Sequence, residues 1–490
     1  MRIITTLLLG LVSQGVLAAE SARLDYLRYM YVEIPFDSAS GQAEQRALLT
    51  LINAGDLTHA LERTSAFRGQ LAVDDTTSRL HLGQVTTNEA LLLATVGRYQ
   101  TSVIRLTEGI VLIRENYGRF HPDLARAYTA RGIVNLKLDV SEAIADLRRA
   151  QHVIHRQDGV FSLEQIQPLQ ALAAAHEQTR QGFLADIDYR FMVKVSEQNH
   201  GDESLAHIPV LMEAARYFSR RGGRIPVIPQ PWRAPSGQQD AMEHDLYRRG
   251  SIFKEADRYF RQAMAIIEVE YGKQDLRLLP MLEGIAMLRI RQGSGLSIGE
   301  RALERATRIV EGSTAADPSD LATALVRLGD MYTISSDRRA SANYLRAWEM
   351  LSKDPELQPR RNQLFDHPTQ LESGLPPIPT LNRMPEHAGL EDALFVEVHF
   401  SVREDGRVIN VRVKDSNLPF KWRNYMKNRM DATRYRPRIV DGDAVRTEGL
   451  SHRQFFQWRR RNTTPSKPEP EEEAPEPDMS AAQAGIGSAD

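Results

Sequence analysis

The 490-residue chain contains no cysteine. That excludes disulfides, a thiol nucleophile and thiolate zinc ligation. Aromatic residues make up only 7% of the chain, and 62 basic residues nearly balance 64 acidic ones. A balanced charge gives no global case for a polyanionic partner such as nucleic acid. Long hydrophobic runs are scarce. One follows Arg2, from Ile3 to Leu17, and at about 15 residues it is short for a bilayer span. Small residues around Ala18 and Ala19 complete the pattern of a cleaved secretory leader, expected at residues 1–19. An uncleaved membrane anchor is the alternative reading of the same run. No phosphate-cradling loop or dinucleotide fingerprint occurs.

What the chain does have is periodicity. Glycines at 118, 159, 201, 272 and 312 each precede a new helical stretch, spaced 41, 42, 71 and 40 residues apart. The long interval contains an insertion, about 223–238, rich in proline. Each unit reads as two helices. The second helices share a small, large, small pattern at Ser102/Leu106/Gly109, Ala143/Leu147/Ala150, Ala256/Phe260/Ala263, Gly299/Leu303/Ala306 and Ala340/Tyr344/Ala347. Small residues let helices approach, the large one fills the gap, and stacked pairs bury what one pair cannot. Five units are clear between residues 40 and 353, with degenerate ones near 41–78 and 161–200. The signature, and the turn from Tyr117 to Ala125, resemble long tetratricopeptide repeats. The resemblance implies an α-solenoid whose first helices line a concave, protein-binding groove.

Residues 354–379, with Pro376-Pro377-Ile378-Pro379, read as an extended linker. Beyond it, Ala393–Val402 and Arg407–Lys414 flank Asp405-Gly406, a strong hairpin signal. A two-residue turn there pairs Val402 with Ile409, Phe400 with Val411 and Val398 with Val413 on one apolar face. It pairs Ser401 with Asn410, His399 with Arg412 and Glu397 with Lys414 on the other. Trp422, Tyr425, Met426 and Met430 recur at helical spacing between Phe420 and Ala432, so this helix is expected to cover the apolar face. Ser416 or Asn417 is the expected cap, with Pro419 in the first turn. A strand through Thr433–Val440, a turn at Asp441-Gly442 and a last β-rich run follow. The order predicts a small α+β (ββαβ) domain at 380–460. An acidic, proline-rich segment at 461–490 predicts a disordered tail.

PheSerValArgGluAspGlyArgVal, ValArgValLysAspSer, AlaThrArgTyrArgPro and AspGlyAspAlaVal, in this order, resemble the carboxy-terminal domain of TonB-type proteins. That resemblance implies a periplasmic domain that binds segments of envelope or outer-membrane proteins, often by strand addition. The long proline-rich spacer of energy transducers is missing here. The strand near Pro437 is expected at a sheet edge, since proline cannot donate to a ladder. Alternation predicts Arg434, Arg436 and Arg438 on one face and Tyr435 on the other. Tyr435, Arg436, Arg438 and Ile439 are therefore the candidate docking edge.

Catalytic patterns are weak. Gly295-Leu296-Ser297-Ile298-Gly299 meets the serine-hydrolase formula, but a helix rather than a strand precedes it, so it reads as an inter-helix turn. His152 and His155 lack a third ligand nearby, and His121 belongs to the repeat turn. No catalytic residue, metal, cofactor, nucleic acid or small-molecule substrate is expected. The module at 380–462 carries 17 basic against 11 acidic residues, read as a solvated basic face or one turned to an acidic surface. The leading expectation is a non-enzymatic adaptor exported to the periplasm. A component of TonB-type energy transduction, anchored in the inner membrane, and an envelope enzyme with a pocket at Ser297 or beside the insertion are the alternatives.

Overall fold

The computed structural model describes residues 30–31, 34–71, 75–225, 236–371 and 394–456, with 236–246 as backbone only. The expected leader, most of the insertion, the proline cluster at 376–379 and the acidic tail lie outside these residues. The described chain is mostly helical, with a small β region near its carboxy terminus. It divides into two compact units, one reaching to Leu357 and one comprising Gln358–Leu371 together with residues 394–456.

The first unit is a succession of helices: α1 (Ala39–Asn53), α2 (Leu57–Gln70), α3 (Thr76–Thr95), α4 (Tyr99–Tyr117), α5 (Pro122–Asn135), α6 (Val140–Gln157), α7 (Ile166–Gln178), α8 (Gly182–His200), α9 (Ile208–Arg224), α10 (Ser236–Tyr271), α11 (Leu279–Gln292), α12 (Leu296–Gly312), α13 (Pro318–Ile334) and α14 (Arg339–Ser352). Each packs on the next, most extensively within α3–α4, α5–α6, α7–α8, α9–α10, α11–α12 and α13–α14.

The periodic glycines are helix stops. Gly118, Gly159, Gly201 and Gly272 all have φ between 82° and 88°. A residue without Cβ takes this conformation at least cost and ends the helix there. Three positions on, a polar side chain starts the next helical segment. His121, Ser162, Ser204 and Asp275 each accept a backbone N–H two residues ahead. Gly312 breaks the pattern, because α12 runs through it and Asp317 caps α13 with a reciprocal bond to Asp320.

Between the stops, packing follows the small–large–small positions. Ala143, Leu147, Ala150, Ala256, Phe260 and Ala263 are all fully enclosed. Ala340 alone among the fifteen positions is half-buried. The degenerate unit near 161–200 forms a full pair, with Ala185 and Tyr189 in the first two places and Met192 in the third. A flexible methionine replaces the small residue there, which obscures the pattern without changing the packing. The large residue also needs room on the facing helix. A Cβ placed on Gly329 would lie 2.6 Å from the Tyr344 ring.

In the second unit, β2 (Leu394–Val402) is the centre of a three-stranded antiparallel sheet with β3 (Val408–Ser416) and β7 (Thr447–Phe456) on either side. Helix α16 (Phe420–Ala432) lies on β2 and β3. Met426 and Met430 join Val396, Val398, Phe400, Val402, Val408 and Val411 in one core, with Trp422 packed against it. The turn differs from the expected two-residue form. Gly406 at φ 79° donates to the Arg403 carbonyl, and Arg403 N–H donates to Arg407. The longer turn sets Val402 against Val408 and Ser401 against Ile409, one residue off the expected register. A bulge at Asn410, φ 57°, then restores it, so that His399 meets Arg412 and Val398 meets Val413 as expected, before a second shift sets Glu397 opposite Asp415 instead of Lys414. Val408 consequently takes the core position expected of Ile409. The helix also starts differently. Pro419 is its cap residue, Ser416 Oγ accepts from Leu418 N–H, and Asn417 Oδ1 accepts from Phe395 N–H. Both proposed caps are spent on tying β2 and β3.

The expected linker is corrected as well. Gln358–Phe365 forms a helix, α15, and Thr369–Gln370 a short strand, β1, which belong to the second unit. Phe365 and Leu371 are buried there. The strand expected through Thr433–Val440 is divided at Pro437 into β4 (Tyr435–Arg436) and β5 (Arg438–Val440). β5 pairs with β6 (Asp443–Val445) around Asp441-Gly442, whose φ angles of 51° and 90° fit the expected tight turn.

Gly329→Val should lower stability by about 1–3 kcal/mol in urea unfolding, since the Tyr344 ring has nowhere to move. Gly250→Ala, at a helical site with nothing within 4 Å of the added carbon, should leave stability unchanged or raise it by up to about 1 kcal/mol. Equal effects at both sites would refute this account of the packing.

Candidate partner-binding surfaces

The candidate edge at Tyr435–Ile439 is already paired. β1 runs antiparallel to β4, with Thr369 opposite Arg436 and Gln370 opposite Tyr435. Leu371 N–H donates to the Arg434 carbonyl at 2.9 Å. Arg436 is buried rather than solvated, and its Nη1 donates to the Leu364 carbonyl at 3.0 Å. Tyr435 lies in the core beside Phe400, ring centroids 5.5 Å apart, and burial pushes its hydroxyl up to about 12. Ile439 is buried and Arg438 exposed. The alternation expected for the three arginines therefore fails, because the strand breaks at Pro437 and the preceding chain folds back over it.

Among the described residues, no strand pairs with the outer edge of β7. Phe455 on this strand is 58% exposed and lies 6.4 Å from Phe395. Gly449, φ 71°, interrupts the ladder at one end. On the same face as Phe395, Glu397 is held by Lys414 Nζ at 2.9 Å and by Arg453 Nε at 2.7 Å. The Lys414 and Arg453 hydrogen bonds hold its carboxyl below the usual carboxylate range. This crossing of three strands by charge fixes the face beside the open edge.

The first unit has a surface that sequence reasoning missed. The residues before α1 lie against the helices rather than free of them. Arg126 on α5 donates from Nη1 to the Met30 carbonyl at 3.0 Å and to Asn88 Oδ1 on α3 at 2.8 Å. Gln45 on α1 accepts the Ile34 N–H at 3.4 Å, and Gln42 donates to the Phe36 carbonyl at 2.9 Å. Met30 joins a core with Ala90, Ala94, Ala130 and Ile133, while Ile34 and Phe36 pack with Val85 and Phe67. Tyr31 is largely buried, which pushes its hydroxyl up to about 12. The only signal in the sequence was the apolar spacing of Met30, Ile34 and Phe36, which follows the leader too closely to be read as helix or strand.

The weaker chemical candidates fall into structural places. Ser297 is exposed in the first turn of α12, after Gly295 in the left-handed region and with α11 before it. His121 caps α5, and His152 stacks edge-on with Phe120 at 5.3 Å. Burial pushes His155 down. His176 and Asp188 meet at 2.6 Å within the α7–α8 pair, but at 2% and 4% exposure they are shut off from any substrate. Among the described residues, no three His, Asp or Glu side chains are grouped to hold a metal ion, and no helix is long and apolar enough to cross a membrane.

Glu397 gives a pH test. Its folded pKa is depressed, so its contribution to stability is present above the unfolded value of about 4.3 and is lost as pH falls through the lower folded value. The stability gap between the native chain and Glu397→Gln should be widest near neutral pH and should close in acid. A gap that stays constant with pH would contradict the pairing.

Neither a family model nor a curated protein matches this chain. Among solved structures, it is similar to a crystal structure of BtubC (BKLC) from P. vanneervenii, at 15% identity and a TM-score of 0.34, covering 64% of this chain and 98% of that one.

Proposed function

We propose that the chain is a non-enzymatic adaptor of the periplasm, built from a solenoid of tetratricopeptide-like helix pairs and a TonB-like carboxy-terminal module. Its partners would be envelope or outer-membrane proteins, bound through short segments of their chains. One observation carries this reading: each unit grips, by hydrogen bonds to its backbone, a segment of the chain outside its α-helix pairs or its three-stranded sheet. In the first, side chains of α1 and α5 bind the backbone at Met30, Ile34 and Phe36. In the second, β4 takes β1 as an added strand. Surfaces that hold peptide backbone by hydrogen bonds and set side chains into apolar pockets are the physical basis of segment recognition. With β4 occupied, the open edge of β7 beside Phe455 is the strand-addition site on the module.

Two measurements test this. The mature amino terminus should begin near Ala19 or Glu20; a retained Met1 would remove the periplasmic assignment and restore the anchor. A photoreactive residue at Phe455, in cells, should crosslink to an envelope protein. Adducts no stronger than those from Val269, an 88%-exposed position on α10, would overturn the assignment of the β7 edge.

A further inference from the structure

The contacts before α1 are arranged as a receptor arranges them. Three polar side chains spend their hydrogen bonds on the backbone of the segment: Arg126 on the Met30 carbonyl, Gln45 on the Ile34 N–H and Gln42 on the Phe36 carbonyl. Backbone reading of this kind is indifferent to which chain supplies the segment. Selectivity comes from the pockets. Met30 enters among small residues, Ala90, Ala94 and Ala130. Phe36 is set between Phe67 and His81, at centroid distances of 5.3 and 4.7 Å. Asn88 orients Arg126 toward the carbonyl it serves, at 2.8 Å. The receptor side is made wholly of helix residues from α1, α2, α3 and α5, whereas the occupant has neither helix nor strand at Tyr31 or at Ile34–Phe36. An integral part of the array would be expected to continue its helix pairs.

We infer that Gln42, Gln45, Asn88 and Arg126 form a peptide-binding site held in the resting chain by its own residues Met30 and Ile34–Phe36. The incoming ligand is a partner segment with apolar side chains in the first, fifth and seventh places, the spacing of Met30, Ile34 and Phe36. The inference rests on the adaptor reading and adds to it a location, a ligand class and a built-in competitor. The competitor sets a threshold. A short tether presents its own ligand at an effective concentration on the order of 1 mM. An external peptide of about 1 μM affinity for the vacant site would therefore appear roughly a thousandfold weaker toward the intact chain. Only a partner that is abundant, or engaged elsewhere on the same protein, would displace it.

The probe is a labelled heptapeptide, MetTyrValGluIleProPhe, followed by fluorescence anisotropy on the full chain. The site is vacated by Ile34→Asp with Phe36→Asp. The vacated chain should bind the probe at least tenfold more tightly than the native chain, and Arg126→Ala added to it should weaken binding at least tenfold. A vacated chain that keeps its helix content and cooperative melt but does not bind, or binds as the native chain does, overturns the inference. If the vacated chain unfolds, hydrogen exchange on the native chain decides. The Ile34 amide should exchange at least tenfold faster than the amides of α3, through local opening; exchange in step with α3 makes the segment integral and ends the proposal. Crosslinks from Phe455 without probe binding would sink this site and leave the adaptor reading in place.

Discussion

The structure depends on one steric constraint: a large side chain on one helix must find a gap on the next. Tyr344 against Gly329 and Leu147 against Gly132 show the same solution in different units, each with room for a ring or a branched chain but not for one more carbon. Interiors are close-packed, so this fit fixes both the spacing and the crossing of the pair. Neither helix of a pair could bury its apolar face alone. The regular turns follow from it, because pairs of fixed crossing need connections of fixed length. The left-handed glycine and the polar cap three residues later supply that connection.

The same logic explains what the two units have in common chemically. Helix pairs and a three-stranded sheet both satisfy their own backbone groups and leave a margin where another backbone can be held. In the first unit that margin is served by amide and guanidinium side chains. In the second it is a strand edge. In the second unit a charge cluster ties the three strands together, with Lys414 of β3 and Arg453 of β7 both on Glu397 of β2.

Much of this was legible in the sequence, and the failures have physical causes. Helix pairing could be read because small residues recur with a fixed period. The unit at 161–200 read as degenerate because Met192 fills a place where size, not hydrophobicity, carried the signal. The core face of β2 was legible from alternation, but that of β3 was not: Val408 stands in for Ile409 and Val413 is exposed, which leaves Val411 alone of the three residues expected on that side of the hairpin. The hairpin register was not legible either, because it was decided by a turn one residue longer than Asp405-Gly406 and by the bulge at Asn410. Helix α15 and strand β1 were illegible. In Gln358–Phe365 only Leu364 and Phe365 are apolar, and two residues make no periodic strand. Their identity comes from a tertiary partner, β4, seventy residues away. The docking edge was assigned to Tyr435–Ile439 for a sound local reason, Pro437, while its occupant lay in a stretch that local rules read as linker.

That folded-back stretch has a practical consequence for dissecting the molecule. A fragment cut at residue 380, where the sequence places the start of the module, would strip Leu364, Phe365 and Leu371 from it. It would remove the Leu364 carbonyl that Arg436 binds and leave β4 with a bare edge, the kind of surface that drives intermolecular pairing. The physical beginning of the carboxy-terminal domain is Gln358.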